Sequence, residues 1–311
     1  FLYDLTWDKP APLLRSRRHS IGVKERVNSR GQIIGPLEQT EIDRVCREVE
    51  HGQFEALAVC LLFAYLNTDH ERKLAAALRQ RFPGIPISVS HEIAPIWREY
   101  ERSSTVIADA FVKPLIHGYV SSLKAGLRNC GFTKPWSMMK SNGGLMDADA
   151  AALNPIQLAM SGPAGGAVAS QRLSQLLGLD NVVTIDVGGT SADVGLLLNG
   201  HITYTTEYEI EWGIPASIPL IDIKTIGAGG GSIAFINSGG FLQVGPQSAG
   251  SVPGPICYGN GGKNVTITDS NLHLRRLNPA YFNGGKLQLD ESLIDAGLND
   301  LASYLGMTPT Q

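Results

Sequence analysis

The segment TIDVGGTSADVGLLLNGHITY, residues 184–204, constrains the fold of this chain more strongly than any other. It opens in an apolar strand that we predict to be buried, and a carboxylate stands where that strand ends. Glycines follow, then a threonine and a second carboxylate, and a second strand runs on to an Asn-Gly hairpin signal at 199–200. Glycines at such a place let the backbone approach another group closely. The residues concerned are Asp186, Gly188, Gly189, Thr190 and Asp193.

Three phosphate-binding designs place glycines after a strand, and the residues that follow distinguish them. A P-loop needs the pattern GxxxxGK(S/T) and a helix, but no lysine follows these glycines. A Rossmann fingerprint opens a helix, whereas residues 191–198 alternate as a strand does. The third design is a tight hairpin whose turn amides surround phosphate oxygens while a strand-end aspartate holds a hydrated divalent cation. The segment fits only this third design, and an ordinary glycine-containing hairpin is the alternative.

The residue types match the chemistry of a phosphate and its metal. Gly188 and Gly189 allow backbone amides to point at an anion, and Thr190 adds a hydroxyl donor. Carboxylates bind Mg²⁺ through water, so Asp186 and Asp193 are the predicted metal ligands.

The composition excludes several classes of protein. A net charge of -3 over 311 residues gives no electrostatic reason to expect nucleic acid or an acidic membrane as a partner. The four cysteines form no CxxC pair, and no apolar run approaches the roughly 18 residues of a membrane span. We therefore expect a soluble, cytoplasmic protein with free thiols. The first residue is Phe1 rather than methionine, as if the sequence began inside a longer protein.

The first half of the chain has the rhythm of an α/β sheet. A helix is predicted from an N-cap at Thr40 to a stop at Gly52, and a second helix is predicted over 69–81. The apolar run 56–64 and the segment 85–93 are predicted as strands, the first of them buried on both faces. Alternating helices and strands indicate a sheet with right-handed crossovers.

Longer elements follow. Residues 104–130 are predicted as a helix interrupted near Pro114, and another helix is predicted with Ser161 as its cap. The core stripe of that second helix is predicted to be Leu173, Leu176 and Leu177. From residue 181 the pattern changes to strands, with HITYTTEYEI as a third strand after the glycine hairpin. An amphipathic helix over about 291–305 closes the chain.

A charged cluster, SHEIAPIWREYER, lies at the end of the predicted strand 85–93. Ligands commonly bind at strand ends in α/β sheets. The pattern is not HExxH, so two helical zinc ligands are not available. We predict His91 or Glu92 as a general base on water or on a ring amide. Arg98 and Arg102 are predicted to hold a carboxylate or phosphate, and a salt-bridged loop leading into a helix is an equally good interpretation.

Two other glycine-rich segments offer backbone amides to an anion. SGPAGG, residues 161–166, stands at a helix N-terminus, where the backbone amides favour an anion, and close packing of that helix against its neighbours is the alternative. GAGGGS, residues 227–232, forms either an anion nest or a tight turn, and we favour contact with phosphate or substrate. The predicted contact residues are Gly229, Gly230, Gly231 and Ser232. Cys257 is predicted to be a buried structural thiol, since no histidine lies near it in sequence.

Six ordered segments together resemble one protein family. The segment IDVGGTSADVGLL resembles the phosphate motif of the sugar kinase/actin/Hsp70 ATPase superfamily. In chain order the six are SHEIAPIWREYERSSTVIADAFVKPL, MKSNGGL, SGPAGGAVA, IDVGGTSADVGLL, IGAGGGSIAFI and VGPQSAGSVPGPICYGNGG. Together they resemble the hydantoinase A/5-oxoprolinase family, which includes N-methylhydantoinase and subunits of ATP-dependent ketone carboxylases. The resemblance extends over essentially the whole chain.

The resemblance implies an α/β fold of the actin-like ATPase (ribonuclease H-like) kind, with two lobes of which the first is incomplete. Residues 1–103 would be the C-terminal part of the first lobe, 104–180 the linking helices that complete it, and 181–311 the second lobe. The first lobe's own DxGGTFTD-type hairpin and the later GGAGP-type adenosine segment do not occur in this sequence. We therefore expect a fragment that binds nucleotide weakly or not at all by itself and is inactive in isolation.

The resemblance also implies an activity. Family members couple ATP hydrolysis, with ATP and Mg²⁺ as cofactors, to the opening of a lactam or imide ring or to ketone carboxylation. The expected substrate is a small cyclic amide such as a hydantoin, 5-oxoproline or a lactam. The expected partner is a hydantoinase B-type subunit or domain, in a homo- or hetero-oligomer. The alternatives are a ketone carboxylase subunit and a non-catalytic, nucleotide-gated assembly module.

Overall fold

The structure is a computed structural model that describes residues 19–211 and 213–311. These residues form a mixed α/β fold of two compact units. Unit 1 contains the described residues up to Gly165 together with Tyr204–Ile221. Unit 2 contains Gly166–Thr203 and Asp222–Gln311. Among the described residues, no helix is both long and apolar enough to cross a membrane.

The helices are α1 (Gln39–Gly52), α2 (Asp69–Arg81), α3 (Ser90–Ile93), α4 (Glu99–Asn129), α5 (Ala148–Leu153), α6 (Ser161–Leu177), α7 (Ile267–His273) and α8 (Asp295–Leu305). The strands up to the glycine hairpin are β1 (Arg26–Val27), β2 (Ile33–Gly35), β3 (Leu57–Val59), β4 (Ile87–Val89), β5 (Ser137–Met139), β6 (Leu145–Asp147), β7 (Val182–Val187) and β8 (Ala192–Leu198). The strands that follow are β9 (His201–Ile202), β10 (Tyr204–Thr205), β11 (Tyr208–Glu211), β12 (Ile214–Ala216), β13 (Leu220–Ile221), β14 (Ile223–Ile226), β15 (Ser232–Ile236) and β16 (Leu242–Ser248).

The N-terminal core of unit 1 is built on two parallel strands. β3 pairs with β4, and the apolar faces of α1 and α2 pack in the same core cluster. Ile42, Val45 and Val49 recur at helical spacing on α1 and are buried, which confirms the predicted helix. Its predicted N-cap at Thr40 is wrong, because the helix begins at Gln39 after an uncapped Glu38.

The strand predicted over 56–64 is much shorter in the structure. Only Leu57–Val59 is a strand, and the chain then turns, with Phe63 in the left-handed region at φ 57°. The segment 85–93 is likewise a strand only over Ile87–Val89, because α3 begins at Ser90. Both strands stop where backbone N–H groups, those of Leu61 and His91, donate to a buried side chain instead of to a neighbouring strand.

The interruption predicted near Pro114 is also wrong, since α4 runs unbroken from Glu99 to Asn129. Proline removes one hydrogen bond from a helix and normally kinks or breaks it. Here buried residues lie on both sides of the proline, Ala110 before it and Val120 after it. Packing on both sides therefore outweighs the local preference of one residue.

Unit 2 contains an antiparallel four-stranded sheet. Its strand order is β14-β8-β7, and β9 pairs with the far end of β8 beyond the turn at 199–200. The predicted strands 181–187 and 191–198 are thus confirmed. HITYTTEYEI is not one strand, because only its first two residues pair with β8; β10 and β11 pair with β13 and β12 in unit 1.

The predicted burial of β7 is wrong for one face of this sheet. The exposed apolar side chains on that face are Val183, Ile185 and Val187 of β7, Leu196 and Leu198 of β8, and Ile226 of β14. The predicted core stripe of α6, made of Leu173, Leu176 and Leu177, is exposed as well. Both predictions assumed that another element would cover these apolar side chains. Among the described residues, no element covers them.

Candidate functional site

The turn between β7 and β8 presents three consecutive backbone donors. The Gly188 amide donates to the Ser191 carbonyl at 2.8 Å, which closes the turn. The amides of Gly189, Thr190 and Ser191 have no acceptor among the described residues. Successive amides of this kind are the donors with which a turn binds a phosphate oxygen.

The second glycine segment lies directly against this turn. The amides of Gly230 and Gly231 donate to the carbonyls of Gly188 and Gly189 at 2.9 and 2.6 Å. A Cβ atom on Gly229 would lie 2.4 Å from the Ser191 nitrogen and 2.6 Å from that of Thr190. A glycine at position 229 therefore keeps open the space beside two of the three free amides.

Ser232 completes the support of the turn. Its Oγ accepts from the Gly229 amide at 2.8 Å, so all three glycine amides of the predicted anion nest already have protein acceptors. The Thr268 amide and hydroxyl both donate to the Gly230 carbonyl at 2.8 Å and fix the segment from the other side. Direct contact of Gly229, Gly230, Gly231 and Ser232 with phosphate stays a prediction, while their observed contacts shape the turn.

The two predicted metal ligands stand side by side near the turn that joins β7 to β8. Asp186 of β7 and Asp193 of β8 are register partners, so their side chains lie on the same face. The Thr225 hydroxyl of β14 donates to the Asp193 carboxylate at 2.6 Å. Like charges directly opposite destabilise a sheet unless a cation compensates them.

This pair of carboxylates fits a hydrated magnesium ion. Mg²⁺ is typically held by one or two carboxylates and keeps several waters. Among the described residues, no group of three or more His, Cys, Asp or Glu side chains is placed to hold a metal. The remaining ligands of an ion at Asp186 and Asp193 would therefore be waters or the phosphate itself.

Unit 1 carries the predicted catalytic histidine. His91 lies in α3, at the end of β4, and its Nδ1 is 2.8 Å from Oε2 of Glu71 on α2. Its Nε2 is 4.0 Å from Oε1 of Glu92, which is too long for a hydrogen bond. Sequence reasoning missed Glu71, which lies twenty residues from His91 and shares no motif with it.

Glu92 is fixed by an arginine. Arg79 donates to both its carboxylate oxygens, at 3.1 and 2.7 Å. Burial opposes the charge of this carboxylate, but the Arg79 guanidinium holds the pKa of Glu92 below its ordinary value. The structure thus brings His91 and Glu92 together, with a cation beside the second.

The two other predicted anion-binding arginines have different surroundings. Arg98 lies 3.3 Å from Glu101 and stacks over Trp97, and no contact among the described residues joins it to His91 or Glu92. Arg102 is buried and donates to two backbone carbonyls, so its expected role on a carboxylate or phosphate is wrong. These contacts agree in part with the alternative of a salt-bridged loop.

Cys257 is buried, as predicted for a structural thiol. Burial and the neighbouring Asp269 raise the pKa of its thiol, which makes it a poor nucleophile. Two open pockets, one beside Cys257 and one beside Asn142, include none of the predicted site residues.

Comparison with known families identifies the class of the protein. The model of the hydantoinase/oxoprolinase family matches residues 102–311, and that of the hydantoinase/oxoprolinase N-terminal region matches residues 1–82. The chain therefore belongs to the hydantoinase/oxoprolinase family, which confirms the resemblance drawn from the six motifs.

Two similar proteins represent the two predicted activities, since one is named as a caprolactamase subunit and the other as a ketone carboxylase subunit. The chain is 34% identical over 308 residues to the caprolactamase subunit alpha of Pseudomonas jessenii, covering 98% of this chain and 44% of the relative. It is 32% identical to the acetophenone carboxylase gamma subunit of Aromatoleum aromaticum, over 96% of this chain and 42% of the relative. The crystal structure of the ATP-dependent caprolactamase from Pseudomonas jessenii superimposes with a TM-score of 0.80 at 32% identity, covering 99% of this chain and 44% of that one. The chain thus spans less than half the length of these relatives.

Proposed function

We propose that the full-length protein opens a cyclic amide or imide at the expense of ATP. The observation that carries the proposal is the turn of unit 2. Three free amides, at Gly189, Thr190 and Ser191, stand next to the paired carboxylates Asp186 and Asp193. An anion-binding turn beside a two-carboxylate cation site is what a phosphate chain and its Mg²⁺ require. The relative named an ATP-dependent caprolactamase supports this use of the turn.

In this proposal the residues of unit 2 bind and orient ATP. Asp186 and Asp193 would hold Mg²⁺, and the three amides would hold phosphate oxygens. Gly229, Gly230, Gly231 and Ser232 keep the turn in shape and leave room for the anion. We propose that the fold is that of an actin-like ATPase. Its first lobe would comprise residues 1–103 and 104–180, and its second lobe residues 181–311.

The proposed chemistry activates the amide carbonyl. Its oxygen attacks the terminal phosphorus of ATP, and ADP leaves. Water then adds to the activated carbon, a proton moves to the ring nitrogen, and the carbon–nitrogen bond breaks to give an acyl phosphate. A second water releases inorganic phosphate and the open-chain carboxylate. His91 would take the proton of the attacking water as general base, with Glu92 beside it, and Arg98 would orient the substrate carboxylate or phosphate.

A second candidate is ATP-dependent carboxylation of a ketone. It is favoured by the relative named as the acetophenone carboxylase gamma subunit, which matches nearly the whole chain. Its first step would use the same turn and the same carboxylates, so unit 2 alone does not separate the two activities. Both relatives are named as subunits, which supports a partner subunit, for which the hydantoinase B type is our proposal. We also propose a cytoplasmic location.

A substrate panel on the full-length protein with its partner subunit tests the proposal. Hydantoin, 5-oxoproline, caprolactam, and acetophenone with bicarbonate are each incubated with Mg-ATP, and ADP release and product are measured. We expect ADP release that depends on one cyclic amide, and ketone-dependent turnover would instead establish the second candidate. Asp186→Ala should abolish this turnover. The control Asp300→Ala, which changes an exposed aspartate on α8, should not. Full turnover in Asp186→Ala would show that the turn is not the ATP site.

A further inference from the structure

The carboxylate of Glu71 accepts four hydrogen bonds beside the predicted catalytic histidine, His91. The residue lies on α2 and is fully buried. Its Oε1 accepts from the Leu61 amide at 2.8 Å and from the Ser90 hydroxyl at 2.7 Å. Its Oε2 accepts from the His91 amide at 3.0 Å and from His91 Nδ1 at 2.8 Å. Both oxygens are thus surrounded by donors.

This arrangement fixes which nitrogen of His91 carries the proton. Both oxygens of Glu71 already accept from other N–H and O–H groups, so Glu71 acts as an acceptor and Nδ1 is the donor to it. In the neutral imidazole the lone pair is then on Nε2. Nε2 has no hydrogen-bond partner among the described residues, and Glu92 Oε1 stays 4.0 Å away. The basic nitrogen of His91 is therefore the one that remains available.

We propose that Glu71 is a positioning residue, which holds His91 with its proton on Nδ1 and its lone pair on Nε2. The inference rests on the role of His91 in the proposed function and assigns the residue that makes this role possible. Glu71 acts through His91 and touches no reacting atom. The backbone bonds from Leu61 and His91 anchor the carboxylate, and the carboxylate in turn orients the ring.

A second histidine–glutamate pair in the same unit provides an internal comparison. His70 Nδ1 lies 2.7 Å from Glu25 Oε2, which resembles the bond between His91 and Glu71. The other nitrogen of His70 accepts from the Leu37 amide at 3.2 Å. Both ring nitrogens of His70 are therefore used within the fold, whereas Nε2 of His91 has no hydrogen-bond partner in the described part of the chain.

The first test measures the tautomer of His91 directly. In the 311-residue chain with ¹⁵N-labelled histidine, NMR under conditions where the ring is neutral should show the proton on Nδ1. In Glu71→Gln only one end of the side chain can still accept, so the proton should no longer be confined to Nδ1. A wild-type His91 that carries its proton on Nε2 would overturn the proposal. This wild-type measurement is decisive even if the variant fails to fold.

The second test measures turnover in the full-length protein with its partner subunit, using the panel substrate that supports ADP release. Glu71→Gln should lower kcat by roughly 10²-fold or more, the usual contribution of a general base, and should alter the pH profile. The double variant Glu71→Gln/His91→Gln should be no slower than His91→Gln alone, because both changes remove the same function. The matched variant Glu25→Gln should keep the wild-type pH profile and kcat.

The outcomes separate this inference from the proposed function. Wild-type turnover and pH profile in Glu71→Gln, with His91→Gln inactive, would overturn the role of Glu71 alone. Wild-type turnover in His91→Gln would overturn both the base and its positioning residue. Neither result bears on the ATP site, whose separate indicator is Asp186→Ala.

Discussion

The two candidate sites are built from different parts of the chain. In unit 2 the donors are backbone amides, those of Gly189, Thr190 and Ser191, and their arrangement follows from two glycine segments packed against each other. In unit 1 the site consists of side chains, and each is held by another: His91 by Glu71, and Glu92 by Arg79. The first site depends on glycines that lack a Cβ atom, and the second depends on side-chain groups that hydrogen-bond to one another.

This difference determines how each site can be damaged. A site shaped by glycines fails when a Cβ atom is added, because the added atom meets backbone that cannot move aside cheaply. A site of mutually bonded side chains fails when one group is removed, because its buried partner is left without a hydrogen bond. Substitutions in the two units should therefore differ in kind as well as in size.

The largest effect on stability is expected from adding one methyl group to the backbone site. Gly229→Ala places a Cβ atom 2.4 Å from the Ser191 nitrogen and 2.7 Å from the Gly188 carbonyl oxygen. Both contacts are backbone, so the turn must shift, at a cost of about 3 kcal/mol in the free energy of unfolding. Urea unfolding measures this loss, and in the full-length protein Mg-ATP should no longer protect the variant.

Gly189→Ala is the matched control for this prediction. No heavy atom lies within 4 Å of a Cβ atom at that position, although it belongs to the same turn. Its free energy of unfolding should change by only about 0.5 kcal/mol. Equal destabilisation by the two variants would show that the packing of the two glycine segments does not shape the turn.

The same difference explains how much of each site the sequence could predict. Asp186, the glycines and Asp193 lie within eight residues, so strand pairing alone places both carboxylates together, and local patterns reveal them. Glu71 reaches His91 through the packing of α2 against the end of β4, a contact between residues far apart in sequence. No sequence pattern within α2 or at the end of β4 predicts that contact.

Predictions about the fold also depended on whether a feature is set by local sequence or by packing neighbours. Helices α1 and α2 and the hairpin β7–β8 follow from local periodicity and turn residues, and the structure confirms them. The burial of Val183 and Leu176 and the break at Pro114 depended on what packs against each residue, and there the predictions were wrong. Burial and helix continuity are properties of neighbours as much as of the residues themselves.

Removing one hydroxyl from the side-chain site should cost less than adding the methyl group to the backbone site. Ser90 is fully buried and donates to Glu71 Oε1 at 2.7 Å. Ser90→Ala leaves that oxygen with the Leu61 amide, so we expect a loss of about 1–2 kcal/mol in urea unfolding. The proton on His91 Nδ1 should not move, because Oε2 keeps both its donors. A tautomer change in this variant would mean that the four bonds of Glu71 act as one unit.

A smaller effect, of opposite sign, is expected at the carboxylate pair. Asp186→Asn removes one of two like charges in register with each other, so without a divalent cation it should raise the free energy of unfolding by about 0.2–1 kcal/mol. The same variant should lose the stabilisation that added Mg²⁺ gives the wild type. Thermal unfolding with and without Mg²⁺ measures both changes. If the variant is less stable without the ion and responds to it as the wild type does, the pair is not a cation site.

The smallest effect concerns the pH response of Glu92. Because the Arg79 guanidinium holds the pKa of Glu92 below its ordinary value, this pair contributes stability above the unfolded-state pKa and loses it as the pH falls through the folded-state pKa. Both side chains are partly exposed, 48% and 40%, so the contribution should stay below about 1 kcal/mol. In Arg79→Ala, burial acts without the cation, and the pKa of Glu92 measured by ¹³C NMR should rise. Arg81→Ala, which removes the exposed pair with Glu50, should leave that pKa where it is. A pKa of Glu92 that is the same in Arg79→Ala as in the wild type would show that the arginine does not set the charge beside His91, and the side-chain site would then reduce to His91 and Glu71.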